Sequence, residues 1–126
     1  MLSSDDRLTI LSMVSQADDF ATARDVDGYL GLFTADASIG GTQGSFAGPA
    51  EIRQGVLDVW NAEPPGTRHL STTVSIAVTD DDSAIAHFSL ILASAQSLSI
   101  VGLATVAETF VRTPDGWRIS KREIAA

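Results

Sequence analysis

The chain contains no cysteine. That excludes disulfides, thiolate nucleophiles and most structural zinc sites, and it fits a reducing cytoplasm. Histidine is scarce too: two in 126 residues leave very few side chains able to exchange protons near neutral pH. Basic residues are half as frequent as acidic ones, giving a formal net charge of -8. A nucleic-acid binder needs clustered Lys and Arg to displace counterions, so nucleic acid is excluded as a partner, and anionic membrane surfaces are disfavoured on the same ground. No stretch approaches the roughly 18 apolar residues that span a bilayer. The start, Met1-Leu2-Ser3-Ser4-Asp5-Asp6-Arg7, is acidic where a signal peptide is basic and then apolar. These absences point to a soluble, cytoplasmic protein with no membrane contact.

What is present is an ordinary globular mixture, 44% hydrophobic and 19% charged, of a length that suits a single domain over residues 1–126. Ser3-Ser4-Asp5-Asp6 signals a helix start, and apolar residues recur at helical spacing from Leu8 to about Arg24. Asp27 is placed to cap a short second helix, Tyr29 to Phe33, ahead of a short strand near Ser38-Ile39. Gly40-Gly41-Thr42-Gln43-Gly44 reads as a turn. Gly48-Pro49 opens a third helix that runs to about Asn61 and turns Ile52, Val56, Val59 and Trp60 inward. After Glu63-Pro64-Pro65-Gly66 come strands at His69–Thr79, Ala84–Leu98 and Leu103–Thr113, closed by Trp117-Arg118-Ile119-Ser120. Helices first and a run of antiparallel strands after them predict an α+β fold, one sheet wrapped around about three helices.

The pair Arg68-His69 stands at the entrance of an alternating strand. Strand parity puts His69, Ser71, Thr73 and Ser75 on one face and Leu70, Val74, Ile76 and Val78 on the other. His69 can serve as a general acid or base, or as a structural histidine bonding the preceding loop. Arg68 points away from it, as a surface arginine. Asp18 falls at the edge of the inward stripe of the first helix, with Leu11, Val14 and Ala21; Asp19 points to solvent. An acid at that edge is either a cavity carboxylate with a raised pKa or a boundary residue bonded to water or Arg24. His87 reads as a satisfied sheet histidine, and Glu108 with Arg122 as a cross-strand pair. Two histidines and scattered acids have no metal-ligand spacing, so neither metal nor cofactor is expected. No base and acid accompany Ser71, Ser89 or Ser94, which leaves a serine-hydrolase triad unsupported.

Four blocks, Asp25–Ala37, Gly48–Arg53, Arg68-His69-Leu70 and Thr113–Ile119, carry a family likeness. In order and spacing the chain resembles the SnoaL-like branch of the nuclear transport factor 2-like superfamily, home of polyketide cyclases, scytalone dehydratase and ketosteroid isomerase. The resemblance implies a cone-shaped curved sheet around an apolar cavity, often within a homodimer. It places the isomerase base at Gly41 and its oxyanion-hole tyrosine at Ala17, neither of which can fill the role. Of the dehydratase set it retains only His69, the others falling at Thr22, Ala93, Thr105 and Ala107. The expectation is a cofactor-independent dehydratase, isomerase or cyclase acting on a small apolar oxygenated metabolite such as a polyketide or terpenoid. His69 and Asp18 would be catalytic, with Trp60, Phe33, Phe46 and Thr73 contacting substrate. The alternative is a non-catalytic ligand-binding or accessory protein with the same pocket.

Overall fold

A computed structural model describes residues 2–126; Met1, the first residue of the acidic start, lies outside them. Helix α1 (Ser4–Ala23) begins where the Ser3 hydroxyl accepts the Asp6 amide and Asp6 returns a bond to the Ser3 amide. This reciprocal box satisfies two amide groups that a helix start otherwise leaves open. Its inward stripe, Ile10, Met13, Val14, Ala17 and Ala21, is buried. Arg24, in the left-handed conformation at φ 60°, stops it.

Helix α2 (Val26–Leu30) starts three residues before its expected position, because Asp25 and not Asp27 caps it, accepting from the Gly28 amide at 3.0 Å. Asp27 pairs instead with Arg53 on helix α3 (Gly48–Ala62). Phe33 consequently leaves the helix and opens β1 (Phe33–Gly41), much longer than the strand expected at Ser38-Ile39. The glycine-rich turn is also tighter than expected: Thr42-Gln43 alone reverse the chain into β2 (Gly44–Ala47). Gly41 permits a close strand approach, since a Cβ there would stand 2.9 Å from both Cβ and the carbonyl oxygen of Ile124.

The long strands β3 (Thr67–Asp80), β4 (Ser83–Ser94), β5 (Ser99–Thr113) and β6 (Gly116–Ala125) form an antiparallel meander. The full order is β2-β1-β6-β5-β4-β3. The fold is therefore α+β: three helices against one curved, unclosed six-stranded sheet. One pairing, β1 with β6, is parallel, so the sheet is mixed where an antiparallel one was expected. The core fills the space between α1, α3 and the inner sheet face, with Ile10, Ile52, Phe110 and Ile119 at 1% exposure or less. No helix among the described residues is long and apolar enough to cross a membrane.

The half-buried Asp6 fastens the start of α1 to the far strands. Its Oδ1 accepts from Trp117 Nε1 at 3.0 Å and Arg112 Nη1 at 3.1 Å, its Oδ2 from Arg112 Nη2 at 3.0 Å. The Arg112 bonds, then those of Trp117 and Ser3, hold the Asp6 carboxyl well below the usual carboxylate range. A lowered pKa stabilises the fold above the unfolded-state value, and that contribution fades as pH falls toward the folded one. Asp6→Asn should therefore melt below the parent at neutral pH, with the gap narrowing in acid, as thermal unfolding followed by circular dichroism would record.

Candidate functional site

His69 occupies the start of β3, and two elements hold it there. Its amide donates to the Thr22 hydroxyl of α1 at 2.9 Å. Its Nε2 meets both oxygens of Glu63, at 2.9 and 3.0 Å. Glu63 is the residue that ends α3, where Pro64 and Pro65 forbid further helix, and the turn folds it back over His69. Arg24 Nη1 completes the chain, 2.9 Å from Glu63 Oε1 and 2.8 Å from the Ala21 carbonyl. The side chains of His69 and Glu63 are both largely covered, at 8% and 7% exposure. With Glu63 as a carboxylate, Nε2 is the donor of this pair, and Glu63 fixes the orientation of the ring.

Asp18 projects from α1 toward the same space, and its Oδ1 accepts from the Ser71 hydroxyl of β3 at 3.1 Å. Burial pushes the Asp18 carboxyl up; the Ser71 bond and the charges of Arg122 and His69 only partly oppose it. Both residues line a cavity of about 400 Å³ between the helices and the inner sheet face. Its wall is otherwise mainly apolar, with Ala17, Val56, Trp60, Leu90 and Leu92 prominent.

Two further polar groups open on it. Tyr29 is wedged between Phe33 and Trp60, ring centroids 5.1 and 5.2 Å away, and burial raises its hydroxyl pKa. Arg122 of β6 lies directly across from Glu108 of β5, and the two form a buried ion pair. Burial pushes the Glu108 carboxyl up against the opposing pull of Arg122.

The profile of the SnoaL-like domain matches residues 3–123. The chain belongs to the SnoaL-like family. This SnoaL-like chain is similar to a cystatin-like-fold protein of unknown function from Nostoc punctiforme, at 26% identity and TM-score 0.92 over 98% of this chain and 92% of that one. It also resembles a candidate dehydratase of the NTF2-like family from Streptomyces avermitilis (17% identity, TM-score 0.78, 98% and 97% covered). Aln2 from a Streptomyces species is similar in fold as well (19% identity, TM-score 0.81, 98% and 92% covered). No curated protein matches the sequence.

Of the residues singled out in the sequence, His69, Asp18, Trp60 and Phe46 line the SnoaL-like cavity. His69 and Asp18 share it, but they bond different partners, Glu63 and Ser71. Phe33 stands behind the wall, packed on Tyr29. Thr73 departs most from expectation. It adopts φ 55°, and between Thr72–Ser89 and Ser75–His87 β3 spends one residue more than β4. This bulge reverses the parity of the strand. His69 and Ser71 stay inside with Val74 and Ile76, while Thr73 and Ser75 pass to a shallow depression on the outer face beside His87. Thr105 and Ala107 line that outer depression too, so the positions carried over from scytalone dehydratase do not converge on one cavity. Gly41 is in the wall, but it has no room for a side chain. The sequence reading passed over Glu63 and Tyr29. A lone tyrosine in a capped turn and an acid six residues before a histidine, across Pro-Pro-Gly, were the available signals.

Proposed function

We propose that this SnoaL-like domain is a cofactor-independent acid–base enzyme that moves a proton on an apolar, oxygenated small molecule. The reaction is an isomerisation, dehydration or cyclisation, all of which can begin with removal of a proton beside a carbonyl. One observation carries the reading: a half-buried carboxyl with a raised pKa, Asp18, shares a mainly apolar cavity with the His69–Glu63 pair. A carboxyl raised toward the operating pH is a stronger base, and a water-poor site keeps it so. Asp18 takes the proton from carbon. His69, oriented by Glu63, exchanges a proton with the substrate oxygen. The fold neighbour from Streptomyces avermitilis, a candidate dehydratase, is in keeping with this class.

The test needs no knowledge of the product. Cyclic ketones and β-diketones incubated with the protein in D₂O should gain deuterium at the acidic carbon, read by mass spectrometry. His69→Ala should slow that exchange by about 10²-fold; unchanged exchange would remove His69 from the mechanism. Saturable binding with no exchange in the parent protein would favour the second reading, a ligand carrier.

The homodimer belongs to this proposal. Register aligns Leu70, Ile91 and Leu103 in one row on the outer sheet face, with Leu70 47% and Leu103 66% exposed. A row of that kind is stabilised when a second copy covers it. Leu70→Asp, at a position outside the cavity wall, should convert a dimer to a monomer in sedimentation velocity; a parent protein that sediments as a monomer would exclude the dimer.

A further inference from the structure

The cavity wall holds a cation whose hydrogen-bonding capacity is mostly unused. Arg122 is 5% exposed and lines the cavity. A guanidinium carries five N–H donors. Among the described residues its one hydrogen bond runs from Nη1 to Glu108 Oε2, and its Nε has no partner. Glu108 Oε1 has none either. Those two atoms are sealed from the cavity, so the donors a ligand can reach are the remaining Nη hydrogens.

Tyr29 supplies a second donor. Tyr29 lines the same cavity, and its hydroxyl has no hydrogen-bond partner among the described residues and lies within the field of the Arg122 charge. The T-shaped contact with Trp60 and the tilted one with Phe33 fix its ring. We propose that Arg122 and Tyr29 form an oxyanion subsite, so that the ligand of this cavity is an apolar molecule with an acidic oxygen (an enol, phenol or carboxylic acid) bound as its anion.

The surrounding charges fit that ligand. Burial works against the Arg122 charge, but Tyr29, Glu108 and Asp18 together hold its pKa above the ordinary value, so the cation persists. The acids facing it, Asp18 from α1 and Glu108 from β5, are both pushed toward the neutral form by burial. An incoming anion can therefore replace carboxylate charge, with Asp18 taking up a proton as it binds. For an enol the same contacts stabilise the enolate formed when Asp18 removes a proton from carbon. The inference thus deepens the acid–base reading and shares its cavity, but it concerns binding and can be tested without turnover.

The probe is 2-naphthol, whose neutral and anionic forms differ in absorption and emission. Titrated with the parent protein from neutral to alkaline pH, it should bind preferentially as the naphtholate, with its apparent pKa lowered and a preference for the anion about tenfold above that in water. Tyr29→Phe should reduce that preference severalfold. The double variant Arg122→Met with Glu108→Leu removes both buried charges and should reverse it, because an apolar cavity favours neutral naphthol. Naphthol bound by the parent with an unchanged or raised pKa, or not bound at all, overturns the subsite. So does an undiminished anion preference in the double variant or, should that variant not fold, in Tyr29→Phe. Intact naphtholate preference with no deuterium exchange would refute only the enzyme reading; exchange without anion preference would refute only the subsite.

Discussion

Replacing Arg122 alone with methionine should destabilise the fold by about 3–5 kcal/mol, the usual cost of stranding one member of a buried ion pair. Glu108 has 0% exposure, and Arg122 is its sole hydrogen-bond partner among the described residues. Without it, the carboxyl must either stay charged in an apolar core or take up a proton. Both cost free energy at neutral pH, the second increasingly as pH rises. Natural domains hold only about 5–15 kcal/mol in reserve, so urea unfolding should show a large fall in the midpoint. Adding Glu108→Leu should recover most of the loss, since two apolar side chains of similar size replace a buried pair at little or no net cost. A single variant as stable as its parent would show that Glu108 does not depend on Arg122.

Asp18→Asn should have opposite effects on activity and stability. Loss of the proton acceptor should reduce deuterium exchange by about 10²–10⁴-fold. Stability should rise. The folded pKa of Asp18 is raised, so over the range between the unfolded and folded values the folded state binds more protons. The parent therefore loses stability as pH climbs through that range. Asparagine does not titrate, and its amide can still accept from Ser71. The variant should melt above the parent at neutral pH, and the two should draw level below the ordinary carboxylate pKa. An equal difference at all pH values would mean that Asp18 titrates normally. Greater stability on removal of an active group is the expected mark of a site shaped for function.

The parts legible in the sequence were those governed by local rules. Ser3 and Asp6 marked the start of α1, and Pro49 that of α3, because capping and the geometry of proline act within one turn. Periodicity placed Ala17, Ala21 and Trp60 in the interior. His69 and Asp18 were located because each stood at the edge of a periodic pattern. What remained hidden depends on non-local pairing. One bulge reversed the faces of β3, and neither Thr72 nor Thr73 announces it, since β-branched residues avoid positive φ. The length of β1 is set by β6, a partner about 80 residues away in the chain. Glu63 reaches His69 only because the prolines turn the chain back, and Arg122 faces the cavity only in the register that sets it against Glu108.

The position of β6 bears on how the chain assembles. The last strand in sequence is an interior strand of the sheet, between β1 and β5. Until it arrives, β1–β2 and β3–β4–β5 are separate ribbons, each with an open edge. Joining them closes a loop that spans most of the chain, an entropic cost that makes this the slow step. Arg122 meets Glu108 within the β5–β6 hairpin, a local pairing that does not wait for that closure. The polar wall of the cavity is thus set on β5 and β6 before β1 docks beside it, and the β1–β6 ladder is completed last.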